Sequence, residues 1–360
     1  MSASAATKGS KGAHASPHGW KTSGRAILFL VLVAAIGVIF LLTVATGSVN
    51  IPLDDVAAVL LGNEASKRTW TTILWDIRLP KAITALLAGS ALAVSGLLMQ
   101  TLFRNPLAGP SVLGIDAGAS LGVAIVVLLA GSDSQAASSF AGTLGRVGAA
   151  GLGASVVVFA VLLVAERVRN NVTLLILGLM FGYVATATVT VLMQYSGAER
   201  VQAYLIWTFA SFSGVSWPHL RILAPAVAFG LAIAVAVTKP LNALLLGESY
   251  ARSLGVRVLR LRVQVVVSSS LLVGAVTAFC GPILFLGIAV PHLARGLFRT
   301  ADHRTLIPAV LLIGGLLAML ADLLTRLPGR QETLPLNAIL SLVGAPIVAW
   351  IVVTQKHAHA

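Results

Sequence analysis

Hydrophobic residues along this chain form ten runs separated by glycine, proline and charged residues. Each run is close to the roughly 20 apolar residues that an α-helix needs to cross a bilayer. We therefore predict membrane-spanning helices at residues 26–46, 81–102, 112–130, 147–165, 172–195, 220–237, 263–279, 283–298, 306–324 and 336–353. The eighth run contains Pro291, His292 and Arg295, which predicts a shorter or broken helix there.

The composition favours the same all-α, polytopic membrane fold. Hydrophobic residues make up 57% of the 360 residues and charged residues only 10%, against about 25% charged in soluble domains. The spans use most of the chain and leave no room for a large soluble catalytic domain. We predict one transmembrane domain at 26–354, a disordered basic tail at 1–25 and a short tail at 355–360. The first run is too long for a cleavable signal, so an uncleaved first span is expected.

The net charge of +13 raises the question of a nucleic-acid partner. Nucleic-acid binding requires basic residues clustered on one folded face, whereas here they are spread between the hydrophobic runs. Most of them fall in alternate loops on the side of the amino terminus. Cytoplasmic loops collect Lys and Arg, so the pattern predicts that both termini are cytoplasmic and that no nucleic acid is bound.

The residues that enzymes and self-powered carriers need are scarce. Cys280 is the single cysteine, and the chain has neither a phosphate-binding Gly-x-x-x-x-Gly-Lys-Ser/Thr motif nor a His-Glu-x-x-His motif. We predict no catalytic residue, metal site or cofactor, and any ATP must be hydrolysed by another polypeptide. Asp116 and Arg295 are nearly the only ionisable residues at bilayer depth, which disfavours an ion-coupled secondary transporter. We interpret Asp116 as a helix-start carboxylate that accepts from backbone N–H groups, with a proton relay as the alternative.

Two polar regions are candidates for protein contacts. Residues 239–262 predict two short surface helices with a glycine break, carrying basic residues and an apolar stripe of Leu244, Leu245, Ala251, Leu254 and Val258. This segment is expected either to dock a cytoplasmic protein or to lie on anionic lipid headgroups. On the outer face, Arg78 and Lys81 lie at a helix start, where cations oppose the helix dipole. They and Arg326 are expected either to snorkel to the interface or to meet an acidic external partner.

Four stretches of the chain carry motifs that can be compared with known families. The first is RLPKAITALLAGSALAVSGLLMQTLFRNPLAGPSVLGIDAGASLG at 78–122, and the second is LNALLLGESYARSLGV at 241–256. The third is GPILFLGIAVPHLARGLF at 281–298, followed by DHR at 302–304. The fourth joins ADLLTR at 321–326 to ETLPLNAILSLVGAPIVAWIV at 332–352. Together and in this order they resemble the permeases of ABC importers for iron–siderophore, haem and vitamin B12, and the resemblance covers about residues 26–353.

The resemblance implies a type II ABC importer permease with ten transmembrane helices, of which helices two to five and seven to ten form inverted repeats. It implies two cytoplasmic ATPase subunits, an extracytoplasmic substrate-binding protein, and a second permease that is either an identical copy or a paralogue. The loop that resembles the coupling helices, at the ATPase cleft, contains Gly247, Glu248, Ala251, Arg252, Leu254 and Gly255. The residues that resemble the docking pockets for the binding protein are Arg78, Lys81 and Arg326. Lys81 replaces a common Arg, which keeps the charge but loses the two-pronged hydrogen bond.

The fifth span is where the family would line its path, and it carries Thr186, Thr188 and Thr190. The implied function is ATP-driven import of a metal chelate across the cytoplasmic membrane, with iron(III)–siderophore as the expected cargo and haem or cobalamin as alternatives. An apolar path suits a bulky chelate better than a free metal ion, which would need carboxylate, His or thiolate ligands. A secondary transporter, an exporter and a channel-like relative are the remaining alternatives.

Overall fold

The computed structural model describes residues 18–47, 49–129, 140–167, 171–326 and 333–356. In these ranges the chain is almost entirely helical, and the one pairing of extended residues is an isolated bridge between Arg326 and Thr333. The α-helices are α1 His18–Ala45, α2 Leu53–Leu60, α3 Arg68–Thr72, α4 Leu79–Phe103, α5 Ile115–Ala124, α6 Phe140–Arg167, α7 Asn171–Gln194, α8 Ala198–Thr208, α9 Trp217–Ala236, α10 Thr238–Leu245, α11 Glu248–Ser253, α12 Val258–Cys280, α13 Leu286–Phe298, α14 His303–Leu324 and α15 Leu336–Lys356. Short π-helical segments, Ile73–Arg78 and Ile125–Leu129, precede α4 and extend α5.

The all-α membrane fold is confirmed, but the count of ten spanning helices is not. Seven helical stretches of the described residues are long and apolar enough to cross a bilayer: Gly24–Ala45, Arg68–Phe103, Leu144–Val164, Thr173–Gln194, Trp217–Ala236, Val258–Cys280 and His303–Leu324. The other three predicted spans coincide with the shorter apolar helices Ile115–Leu129, Leu286–Phe298 and Leu336–Ala349. The eighth run is therefore a short helix, as its proline and charge indicated.

The short helix α13 begins beside α4, next to the segment that leads into α5. A Cβ atom added at Gly96 of α4 would overlap the carbonyl oxygen of Gly287 in the first turn of α13, and one added at Gly287 would overlap Pro110. The segment 104–114 thus turns back along α4 before α5 starts, with His292 Nε2 2.8 Å from the carbonyl oxygen of Pro106. The start of α13 and the segment that leads into α5 therefore pack against each other, where each connection takes up part of its apolar run.

Helices α4 and α14 pack closely against each other in the core. Gly89 and Gly314 face each other so closely that a Cβ on either would overlap the backbone of the other. The hydroxyl of Ser90 donates to the carbonyl oxygen of Leu311 across the same interface at 2.8 Å. Close backbone approach through small residues, with a hydroxyl bonded across the helices, is how membrane helices associate tightly. The two helices are therefore expected to move as one body.

The segment between α1 and α4 folds into a small subdomain, called here the outer subdomain. It lies at the end of the bundle that the sequence predicts to be extracytoplasmic, and this end is called outer and the opposite end inner. Helix α2 packs Val56 and Val59 against Val44 at the end of α1 and Leu74 ahead of α4. Asp55 in α2 accepts from the backbone N–H of Ser66 at 2.6 Å and from its hydroxyl at 2.7 Å. These contacts close the loop that follows α2 over the outer end of the bundle.

Candidate transport and coupling sites

The loop 239–262, called here the coupling loop, has the two predicted short helices. Helix α10 ends before Gly247, whose φ of +115° is a backbone conformation that only glycine adopts readily, and α11 ends before Gly255, with φ +82°. Gly247 therefore separates α10 from α11, and Gly255 separates α11 from α12. The predicted glycine break is confirmed.

The predicted apolar stripe of the coupling loop does not form one face. Leu244, Ala251 and Val258 are buried against the bundle, whereas Leu245 and Leu254 are exposed. Together with Leu246 and Tyr250, the exposed side chains make an apolar surface, 58% exposed at Leu254 and 51% at Tyr250. The stripe was inferred from spacing alone, but Leu244 and Leu245 are neighbours about 100° apart around α10, so one is buried and the other exposed.

Glu248 links the coupling loop to the bundle. Its carboxylate lies 3.6 Å from the guanidinium of Arg252 and 3.7 Å from that of Arg262, which is buried in the first turns of α12. Of the six predicted coupling residues, Gly247 and Gly255 shape the turns, Glu248 and Arg252 form a charged pair, and Leu254 is exposed. Ala251 packs inward and is unable to present its side chain to a partner.

The three outer cations lie together, but they point into the protein. Arg78 is 5% exposed and Lys81 is 9% exposed. Arg78 donates to the carbonyl oxygens of Val44, Ala45 and Val49 at 3.0, 2.6 and 2.5 Å. Snorkelling to the interface is therefore wrong for Arg78 and Lys81, because the guanidinium and ammonium groups are buried where they bind other parts of the chain.

Asp322 near the end of α14 completes this cluster of outer cations. Lys81 Nζ lies 3.0 Å from one of its carboxylate oxygens and Arg326 lies 2.6 Å from the other. Arg326 also donates to the carbonyl oxygens of Thr43 and Thr46. The cations thus gather at the carboxyl ends of α1 and α14, where carbonyl groups lack partners and helix dipoles favour positive charge. This location explains why cations occur at the start of α4, although they oppose the dipole of that helix.

The three threonines of the predicted path are all exposed on α7, but they do not share one face. Each hydroxyl donates to the carbonyl oxygen four residues earlier, so their hydrogen bonds are satisfied within the helix. Thr186 and Thr190 lie one turn apart, whereas Thr188 is rotated by about 200° from Thr186. Thr186 and Thr190 therefore lie on one face of α7, and Thr188 lies on another.

Asp116 lies in the first turn of α5, as predicted, but its partners differ from the prediction. Its carboxylate accepts from the hydroxyl of Ser111 at 2.5 Å and from that of Thr277 in α12 at 2.7 Å, rather than from backbone N–H groups. The φ of +72° at Gly114 turns the chain so that the carboxylate faces α12 instead of the helix start. Asp116 thus joins the segment 104–114, called here the returning segment, to α12.

A polar network at the inner end of the bundle was not predicted. Asn242 in α10 contacts Asp302 and His303 at the start of α14, and His303 contacts Thr101 in α4. Nearby, Gln100 accepts from Arg295 at 2.6 Å and donates to the carbonyl oxygen of Ile288. The sequence did not indicate this network, because the partners of a single Asn, His or Thr in an apolar chain do not lie at a fixed distance along the sequence.

Comparison with known proteins identifies the family of this chain. The FecCD transport family matches residues 32–354. The vitamin B12 import system permease protein BtuC of Citrobacter koseri is 33% identical over 283 residues, which cover 79% of this chain and 83% of the relative. The BtuC protein of Klebsiella pneumoniae subsp. pneumoniae is 34% identical with the same coverage.

A solved structure supports the same assignment. The chain is similar to one described as an inward-facing conformation of a metal-chelate type ABC transporter, with a TM-score of 0.79 and 25% identity. The match covers 91% of this chain and 99% of the other. The resemblance to ABC importer permeases and the prediction that the chain is a transport subunit rather than an enzyme are therefore confirmed. This chain belongs to the FecCD transport family and is a multi-pass membrane permease of the ABC importer type.

Proposed function

We propose that this chain is the permease subunit through which an ATP-driven importer carries a metal chelate across the cytoplasmic membrane, with both termini cytoplasmic. The observation that carries the proposal is the match of nearly the whole fold to a metal-chelate type ABC transporter. Iron(III)–siderophore is the first candidate cargo. Cobalamin is the second, because the relatives at 33% and 34% identity are named as vitamin B12 import permeases. Haem shares the bulk and the apolar rim that suit the same path.

The coupling loop is the proposed contact for the ATPase subunits. It combines exposed apolar side chains at Leu245, Leu246, Tyr250 and Leu254 with the ion pair of Glu248 and Arg252. An apolar centre with a charged rim is typical of protein interfaces. Burial of Leu244 and Ala251 fixes the loop on the bundle. A displacement of the exposed side of the loop is therefore transmitted to the helices of the bundle.

The outer cations are the proposed contact for the substrate-binding protein. Among the described residues, Asp322 pairs with Lys81 and Arg326, while Arg78 binds carbonyl oxygens. Three cations with one carboxylate leave the cluster with an excess of positive charge. An acidic side chain from outside is attracted to this excess. A second permease would complete the path beside α7, where Thr186 and Thr190 are candidates to line it.

Uptake by a strain that lacks this gene tests the proposal. Cells without the chain, and cells that express it, are compared for uptake of radiolabelled iron–siderophore, haem and cobalamin. We expect deletion to abolish uptake of one chelate and the gene to restore it. Glu248→Lys should abolish uptake, whereas Glu64→Lys, at an exposed acid outside the coupling loop, should leave uptake intact. Unchanged uptake of all three chelates after deletion would refute the cargo class.

A further inference from the structure

Asn242 binds the start of α14 with both ends of its side-chain amide. Its Nδ2 donates to Asp302 Oδ1 at 2.6 Å, and its Oδ1 lies 2.9 Å from the backbone nitrogen of His303 and 2.7 Å from His303 Nδ1. Asp302 is at the same time the N-cap of α14, because it accepts from the backbone N–H of Arg304 at 3.0 Å. The middle of α10 is therefore held on the first turn of α14 by three hydrogen bonds.

His303 extends this connection to α4. Its side chain is 1% exposed, and its Nε2 lies 2.8 Å from the hydroxyl of Thr101 near the inner end of α4. Because Asn242 Oδ1 is only an acceptor, His303 Nδ1 carries a proton, and in the neutral ring Nε2 then accepts from the hydroxyl of Thr101. One planar imidazole thus spans from α10 to α4, with little freedom to rotate without breaking a buried hydrogen bond.

The pair that receives this connection reaches the outer face. Helices α4 and α14 are in backbone contact at Gly89 and Gly314. With 25 residues, α4 is about 37 Å long. At the outer end of the same pair, Lys81 of α4 is held by Asp322 of α14 at 3.0 Å. A displacement that enters at Thr101 and His303 therefore reaches the outer cations through a tightly packed unit.

We infer that Asn242, His303 and Thr101 form a tie that transmits movement of the coupling loop to the α4–α14 pair, and that they are positioning residues for transport. The inference rests on the proposed function, because it needs an ATPase at the coupling loop and a binding protein at the outer cations. The loop has a second link, between Glu248 and Arg262 of α12, but those atoms are 3.7 Å apart and α12 is a different helix. The tie joins the loop by hydrogen bonds to the pair that carries Lys81.

Replacement of Thr101 tests the tie with a matched control on the same helix. Thr101→Val removes the hydroxyl that faces His303 while it keeps the shape of the side chain. Thr84 is also buried in α4, and its hydroxyl lies 2.7 Å from the carbonyl oxygen four residues earlier, at Pro80, as that of Thr101 lies 2.9 Å from that of Leu97. Thr84→Val therefore removes a buried hydroxyl in the same intrahelical setting without touching the tie.

The measurement uses the complete complex of permease, ATPase and binding protein in liposomes. We expect Thr101→Val to lower both chelate uptake and the stimulation of ATP hydrolysis by the loaded binding protein about tenfold, as for loss of a buried hydrogen bond. Basal hydrolysis and co-purification of the ATPase should stay within about twofold of the unmodified complex. Thr84→Val should behave as the unmodified complex does. Equal results for the two variants would overturn the inference.

A donor–acceptor exchange between Asn242 and Asp302 provides the second test. Asn242→Asp sets two carboxylates against each other and should uncouple hydrolysis from uptake, whereas Asp302→Asn alone should be tolerated. In the double variant the amide introduced on α14 can donate to the carboxylate introduced on α10, so coupling should return to within about threefold. Failure of the double variant to recover would count against the tie. Absence of any stimulated hydrolysis in the unmodified complex would instead refute the proposed function, and the tie with it.

Discussion

At the scale of single residues, the most informative side chain is Asp116. A carboxylate at bilayer depth is either a proton carrier or a structural link. Both of its oxygens accept from hydroxyl groups, one in the returning segment 104–114 and one in α12. This pairing satisfies the carboxylate locally and holds the start of α5 against α12. We therefore treat Asp116 as a structural link between the two elements.

Replacement of Asp116 separates the two roles. Asp116→Asn keeps the shape and can still bond both hydroxyls, so uptake should stay within about threefold of the unmodified protein. Asp116→Ala leaves Ser111 and Thr277 without their acceptor and should lower the free energy of unfolding by about 1–3 kcal/mol. Uptake assays and thermal unfolding in detergent measure the two effects. A loss of transport in Asp116→Asn at unchanged stability would indicate a proton relay.

Asp55 makes the outer subdomain sensitive to acid. The backbone N–H of Ser66, and then its hydroxyl, lower the pKa of the Asp55 carboxyl below its usual value near 4. A lowered pKa in the folded state means that this contribution to stability is present above the unfolded pKa and is lost as the pH falls through the folded pKa. We expect hydrogen exchange around Ser66 to accelerate below about pH 4, and Asp55→Asn to remove the dependence on pH. An identical acid response in Asp55→Asn would exclude this carboxyl as its source.

At the scale of elements, the hydrophobic runs predicted where helices lie but not how deep each begins. An apolar run of given length can cross the bilayer or start inside the bundle, since both environments are apolar. The returning segment 104–114 depends on contacts between residues far apart in the chain, such as Pro110 with Gly287. The glycines and prolines between the runs marked the turns, whereas the positions at which α5 and α13 begin are determined by packing.

Glycine replacements test this packing. Gly96→Ala would press a methyl group against the backbone of Gly287, where no flexible side chain can move aside. We expect a loss of about 1–3 kcal/mol in the free energy of unfolding, as for an overpacked core. Gly37→Ala is the matched control, because a Cβ at Gly37 in α1 meets nothing within 4 Å. It should be neutral or stabilising, since Ala favours helix by about 1 kcal/mol over Gly. Similar melting temperatures for the two variants would contradict the close contact of α4 with α13.

At the scale of the whole molecule, the family motifs predicted the transport role. The contacts of the charged residues in those motifs could not be predicted from the sequence. The stretches around Arg78 and Arg326 identified a permease before any geometry was known. Spacing could not reveal that both guanidinium groups bind carbonyls at the end of α1, because those carbonyls belong to residues 29 to 283 positions away. Asp322 was visible as an acid in the motif, but its role as partner of Lys81 and Arg326 required the fold.

Arg326 therefore combines two functions that one substitution can separate. Its guanidinium binds Thr43, Thr46 and Asp322 at once, which needs the planar fork of Arg, whereas attraction of an acidic binding protein needs only positive charge. Arg326→Lys should lower the melting temperature of the permease in detergent but keep its affinity for the binding protein within about threefold. Arg326→Glu should lower that affinity more than tenfold, and the difference should shrink in high salt because charge attraction is screened. If Arg326→Lys weakens binding as much as Arg326→Glu does, the arrangement of α1 and not the charge of the outer cations determines docking.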